Sequence, residues 1–279
     1  MTSSFFTTTS GTKTHFLRSG TPSGPLLVCL HGLGGSTETF APLLPLLPRT
    51  HDIVLVDFQG FGQTPLTDPS KPLSVGGHVA DLHDLITSLQ ATKTSPAPVT
   101  LIGHSLGGIV SLHYAAAHPD TVGGLLLIAP GRSAGHIPAV KQRMLDLAAT
   151  VREKGIEFAA DTAAKSNFYE DTPERFADPA AREAVRTAVA ASDPEGYAKN
   201  CEAMVDESHK DPEYGNIKCP AVFVAGDKDM IAAAEKVKDL SALLGGPSTV
   251  VMARSGHQPV LEDLGGVKRA LKLLIGDRM

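Results

Sequence analysis

Val99-Thr100-Leu101-Ile102-Gly103-His104-Ser105-Leu106-Gly107-Gly108-Ile109-Val110-Ser111-Leu112-His113-Tyr114-Ala115-Ala116-Ala117 changes its hydrophobic period part-way along. Val99 to Ile102 is a short β-rich apolar run and reads as a buried strand, whereas from Leu106 to Ala117 apolar residues recur at three- and four-residue spacing, as on a helix. Between them stands Gly103-His104-Ser105-Leu106-Gly107. A serine on a sharp strand-to-helix turn needs small residues two positions to either side, because the strained backbone brings neighbouring atoms too close for larger side chains. Such a turn points the Ser105 hydroxyl out of the sheet. It leaves the Leu106 amide at a helix N-terminus, where it can stabilise a developing oxyanion.

The alternation continues on both sides of this stretch. Leu26 to Leu30, Ile53 to Val56, Leu125 to Ile128, Ala221 to Val224 and Thr249 to Met252 read as further buried strands. Val75 to Leu89, Ala232 to Leu244 and Leu264 to Ile275 read as helices between and after them. Buried strands alternating with helices predict an α/β fold with a mostly parallel central sheet flanked by helices. Before the first of these strands, Ser4 to Arg18 alternates like a hairpin with Ser10-Gly11 as its turn. The pattern breaks once, between Gly131 and Asn216, where Ala-rich, charge-studded helical periods replace the strands. Helices are expected within Pro138 to Lys154, Gly155 to Ser166, Pro179 to Ala191 and Pro194 to Val205, with Asp-Pro and Thr-Pro punctuation between them. The expected division is therefore a core domain of residues 1–130 and 217–279, with 131–216 inserted as a helical cap.

Serine is a weak nucleophile near neutral pH and needs a general base that is itself oriented by a carboxylate. His257, in Ser255-Gly256-His257-Gln258-Pro259, is the only one of 11 histidines in a loop after the last predicted strand. The strand Ala221 to Val224 is followed by Gly226-Asp227-Lys228-Asp229, which offers two carboxylates. This order of elbow serine, post-strand acid and late histidine resembles the α/β-hydrolase superfamily along essentially the whole chain. The resemblance implies Ser105, Asp229 and His257 as the catalytic residues, because the family's acid loop commonly reads Gly-x-x-Asp; Asp227 would then cap the loop. His31-Gly32-Leu33-Gly34-Gly35 is similar to the family's oxyanion loop, which makes the Leu33 amide the second donor beside that of Leu106. His31 is expected to be a buried loop anchor and His104 to be structural. Asp57-Phe58-Gln59-Gly60-Phe61-Gly62 resembles the loop that braces the site from the next strand.

Within this superfamily, epoxide hydrolases and haloalkane dehalogenases carry Asp at the elbow, and Ser105 sets the chain apart from both. The segment Ser192-Asp193-Pro194-Glu195-Gly196-Tyr197-Ala198-Lys199-Asn200-Cys201-Glu202-Ala203, with Ile217-Lys218-Cys219-Pro220, is similar to 3-oxoadipate enol-lactonases. That likeness implies hydrolysis of a lactone or small carboxylic ester, with Arg132 as a cationic partner for a substrate carboxylate. Leu106 stands where enol-lactonases often carry Met. Phe40, Met144, Phe168, Tyr169 and Tyr197 are candidates for an apolar acyl pocket. Other branches keep the same serine, among them general carboxylesterases and carbon–carbon bond hydrolases as well as thioesterases, amidases, hydroxynitrile lyases and cofactor-free haloperoxidases. A different class, the ligand receptors built on this fold, would show slow turnover.

Composition narrows the partners. The chain has 279 residues, enough for one sizeable core. With 25 Lys and Arg against 30 Asp and Glu, and no dense basic stretch, nucleic acid is not an expected partner. Cys29, Cys201 and Cys219 are widely spaced without CxxC, as buried thiols of a reducing compartment would be. No run approaches the ~20 apolar residues of a membrane span. The first acidic residue is Glu38, and the Ser/Thr-rich start with Lys13 and Arg18 carries a faint transit-peptide character. Without an apolar signal the cytoplasm is the default expectation. No metal or organic cofactor is called for, and the sequence does not distinguish a monomer from a homodimer.

Overall fold

The computed structural model describes residues 1–276. Its central strand is β5 (Val99–His104), hydrogen-bonded in parallel to β3 (Leu26–Leu30) on one side and to β6 (Val122–Ile128) on the other. β4 (Asp52–Val56), β7 (Ala221–Gly226) and β8 (Ser248–Ala253) extend the parallel sheet. The start of the chain forms an antiparallel hairpin of β1 (Thr2–Thr7) and β2 (Lys13–Gly20), and β2 pairs antiparallel with β4. The eight-stranded order is β1-β2-β4-β3-β5-β6-β7-β8. The hairpin turn falls where the sequence predicts it, with Gly11 at φ 88°.

The buried strands show why the sheet is covered twice. On β3, Leu26, Val28 and Leu30 belong to one apolar cluster and Leu27 and Cys29 to the other. The first cluster takes in α1 (Val75–Ala91), α2 (Leu106–Ala117) and α7 (Ala234–Ala242), whereas the second takes in α9 (Leu264–Ile275). Each large aliphatic side chain taken wholly from water contributes about 1.5–3 kcal/mol before the entropy of ordering is subtracted. One charged group is buried at the edge of β4. Asp52 is fully enclosed and is held by the Arg18 guanidinium at 2.7 Å and the Lys93 ammonium at 2.6 Å, which supplies the pairing a buried carboxylate requires.

Between β6 and β7 the chain forms α3 (Pro138–Lys154), α4 (Ile156–Ser166), α5 (Pro179–Ala190) and α6 (Pro194–Val205). Pro opens three of the four at their first position, and the Asp178 and Asp193 side chains cap α5 and α6. Arg152 of α3 pairs with Glu195 and Glu202 of α6, and Arg186 of α5 with Glu157 and Asp161 of α4. After β8 comes α8 (Pro259–Glu262), a single turn that periodicity does not reveal. The expected helix from Ala232 to Leu244 is shorter, as α7. Its approach is taken up by a turn in which the Asp229 carboxylate accepts the Ile231 and Ala232 amides at 2.8 and 2.9 Å. Among the described residues, no helix is long and apolar enough to cross a membrane.

Candidate active site

β5 passes into α2 through Ser105, whose φ of 49° and ψ of −112° are strained for a residue with a side chain. Packing holds the turn in place. The Ser105 amide donates to the Ile128 carbonyl at 3.0 Å. A Cβ on Gly103 would stand 2.4 Å from the Gly107 carbonyl oxygen, and one on Gly107 would stand 2.0 Å from that of Leu30. Only glycine allows these approaches, so the sequence spacing and the presentation of the half-buried serine to the cavity have one cause.

His257 follows β8 and reaches back to this turn. Its Nε2 is 2.9 Å from Ser105 Oγ and its Nδ1 is 2.8 Å from Asp229 Oδ2. Asp229 follows β7 and is 6% exposed. Burial alone would raise its carboxyl, but the His257 imidazole and the Ile231 and Ala232 amides outweigh burial and hold it below the usual carboxylate range. A buried, ionised carboxylate on Nδ1 leaves Nε2 free to accept a proton from the serine.

The loop after β3 lies against the same serine, since a Cβ on Gly32 would stand 3.1 Å from that of Ser105. His31 anchors this loop: its Nε2 accepts the Phe58 amide at 3.0 Å and its Nδ1 donates to the Gly32 carbonyl at 2.7 Å. Asp57, at the end of β4, accepts the Thr37 and Gln63 amides and pairs with His15 at 2.7 Å. Leu33 lines the cavity beside Ser105, and Leu106 opens α2, where the first amides have no acceptor within the helix. These are the two positions the sequence singles out for oxyanion donors.

Ser105 and His257 open onto a cavity of about 640 Å³. One wall is a single face of α3 and includes Ala139, Arg143, Asp146, Leu147 and Thr150. Other walls come from Phe158 and Ala163 of α4, Tyr197 and Met204 of α6, and Ile231 after the acid loop.

A model of the alpha/beta hydrolase family matches residues 27–267, a span that includes the elbow, the acid loop and the histidine. The chain belongs to the alpha/beta hydrolase family. Among curated relatives, Lipase 1 of Psychrobacter immobilis is 27% identical over 92% of this chain and 79% of its own length. The pimeloyl-[acyl-carrier protein] methyl ester esterase of Xanthomonas axonopodis pv. citri is also 27% identical, over 90% of this chain and 95% of its own. Among solved structures, the enol-lactonase of Burkholderia xenovorans LB400 superposes with a TM-score of 0.81 at 23% identity, covering 96% of this chain and 98% of that one.

Of the six pocket candidates read from the sequence, this alpha/beta hydrolase brings Met144 and Tyr197 to the cavity wall. The other four lie elsewhere, which corrects the expectation. Phe40 is fully enclosed in the apolar cluster on the α9 side of the sheet. Phe168 is buried beneath the Arg182 guanidinium, 5.0 Å from its ring centroid. Tyr169 lies under Arg175, at 4.2 Å, and its hydroxyl donates to the Phe176 carbonyl. Arg132 is paired with Asp211 and lies over the Tyr214 ring. Its charge is therefore satisfied outside the cavity.

Three further groups hold the histidine loop, and the sequence does not single out two of them, Asn167 and Glu262. The carbonyl of Asn167, just after α4, accepts the His257 amide at 2.7 Å. Glu262 accepts the Gly256 amide at 2.8 Å, and Asp227 accepts that of Ser255 at 3.0 Å. Asp227 has a sequence signal as the unused carboxylate of the acid loop. Asn167 acts through its backbone and has none.

Proposed function

We propose that this hydrolase cleaves carboxylic esters of small molecules through an acyl-enzyme on Ser105. The observation that carries the reading is the chain of two hydrogen bonds, Ser105 to His257 at 2.9 Å and His257 to Asp229 at 2.8 Å, opening onto an apolar-walled cavity. His257 takes the Ser105 proton while the oxygen attacks the ester carbonyl, and the Leu33 and Leu106 amides hold the tetrahedral oxyanion. The imidazolium returns its proton to the departing alcohol, and water, deprotonated by the same imidazole, releases the acid. Asp229 keeps Nδ1 protonated and stabilises the imidazolium. The helical insertion serves as the cap that selects substrate, because α3, α4 and α6 supply most of the wall. The ester and lipase names of the two curated relatives agree with this class.

A lactone substrate is the second reading, favoured by the segment Ser192 to Ala203 that leads into and forms most of α6, from which Tyr197 lines the cavity. Arg132, engaged by Asp211, does not serve there as the cation for a lactone acid. A cavity of about 640 Å³ also suits a longer acyl group. The test is a pH-stat comparison of the wild type and Ser105→Ala on short and long acyl esters, simple lactones, an enol-lactone and a thioester. Ser105-dependent turnover on open-chain esters supports the first reading, and turnover concentrated on lactones supports the second. Binding without turnover on any of them would overturn both in favour of a ligand receptor.

A further inference from the structure

Three successive amides of the histidine loop are each held by a different element. Ser255 N–H donates to the Asp227 carboxylate of the acid loop, Gly256 N–H to Glu262 of α8, and His257 N–H to the Asn167 carbonyl of the insertion. The first tie is itself fastened to the insertion. Arg175, between α4 and α5, makes a two-pronged bond to Asp227, at 2.7 and 2.8 Å. Its guanidinium lies on the Tyr169 ring, and its side chain is only 15% exposed. A planar fork on a planar carboxylate fixes orientation as well as distance, which a lysine cannot do.

We propose that Arg175 is a positioning residue for His257, acting through Asp227 and the Ser255 amide to hold the base within reach of Ser105. The proposal rests on the reading of His257 as the base. It gives the cap a second role. Besides shaping the pocket, the insertion sets the geometry of the base through the segment from Asn167 to Arg175. A Cβ on Gly256 would stand 2.7 Å from the Asn167 carbonyl oxygen and 3.0 Å from Phe168 Cα, so this segment lies directly on the histidine loop. Substrate entry then belongs to the α3 side, where Gln142, Arg143 and Asp146 line the cavity and are exposed. The Arg175 bonds hold Asp227 below the usual carboxylate range, so the pair stays ionised at neutral pH.

The experiment measures kcat and KM on a chromogenic acetate and butyrate ester, together with the rate at which a fluorophosphonate labels Ser105. The set is wild type, Arg175→Met, Arg175→Lys, Asp227→Asn and the Arg175→Met/Asp227→Asn double variant. A loosened base costs on the order of 10–10²-fold in kcat and in labelling rate, with KM within about twofold. The double variant should match the single ones, because both remove one link, and Arg175→Lys should recover only part of the loss. Wild-type kcat and labelling in a folded Arg175→Met or Asp227→Asn protein would overturn the proposal while leaving the reading of the site intact. Should Arg175→Met fail to fold, the isosteric Asp227→Asn decides alone. If His257→Ala leaves turnover and labelling unchanged, the reading of the base fails and the proposal with it.

Discussion

The residue before the elbow serine holds the histidine that meets that serine: His104 Nε2 donates to the His257 carbonyl at 2.9 Å. Because a carbonyl only accepts, His104 carries its proton on Nε2. Burial, followed by the nearby His257 ring, lowers His104 to about 4. An unfolded histidine titrates near 6.5, so between those values the unfolded chain binds more protons. Stability from this group is therefore full above about pH 6.5 and is lost as pH falls towards 4. The loss is about 2 kcal/mol at pH 5. His104→Gln should melt with a shallower slope between pH 7 and 5 in scanning calorimetry, by roughly 5 °C. Parallel slopes would show that His104 does not titrate on unfolding.

Ser105→Ala removes the oxygen proposed to attack, and the strained turn tolerates the smaller side chain. Ester turnover should fall by about 10⁶-fold, as where three groups act as a unit, while the circular dichroism spectrum and melting temperature stay near wild type. Turnover within tenfold of wild type would place the attacking group elsewhere.

The two carboxylates of the acid loop separate by their partners. Asp229 meets Nδ1 of His257, and Asp227 meets Arg175 and a backbone amide. Asp229→Asn disturbs the imidazole tautomer and should cost about 10⁴-fold in kcat. Asp227→Asn only loosens the loop and should cost at least ten times less than that. The reverse ranking in steady-state kinetics would move the acid to Asp227.

What is legible in the sequence follows from where each constraint acts. The elbow can be read because Gly103 answers a contact within its own turn, against Gly107, and because the small residues it needs fall at a fixed spacing around the serine, even though Gly107 itself stands against Leu30 of the neighbouring strand β3. Asp229 and His257 can be located because each leaves the end of a strand whose apolar run is plain. The pocket is hidden because side-chain direction depends on partners far along the chain. Arg132 finds Asp211 79 positions away, and Arg175 finds Asp227 52 positions away. Phe40 belongs to a short 3₁₀ turn, Thr37–Phe40, whose buried face no helical period announces. The turn α8 is likewise too short for a period, and Glu262 is hidden with it.

The cavity wall offers a test of acyl length. Met204 lines it from α6 and is flexible enough to be replaced by a larger group. Met204→Trp should shorten the cavity and lower kcat/KM for a decanoyl ester by about tenfold or more, while acetyl ester hydrolysis changes by less than threefold. Equal losses on both esters would mean that the acyl chain does not run past Met204.

Glu262 titrates in the opposite sense to His104. Its Oε2 accepts the Gly256 amide, and its Oε1 is buried with no hydrogen-bond partner among the described residues. Burial pushes the carboxyl up to about 7, against the Gly256 and Gln258 amides, which act the other way. A carboxyl with a raised folded value binds more protons folded than unfolded between about 4.5 and 7. This group therefore costs stability as pH rises through that window, and the cost is complete above about 7. For a carboxyl partly open to solvent the cost is on the order of 1 kcal/mol. Glu262→Gln keeps a carbonyl for the Gly256 amide and has no charge to bury. Relative to wild type it should gain melting temperature from pH 5 to pH 8, by a few degrees. A gain that is constant across pH would mean that the carboxyl is already ionised at pH 5 in the folded protein.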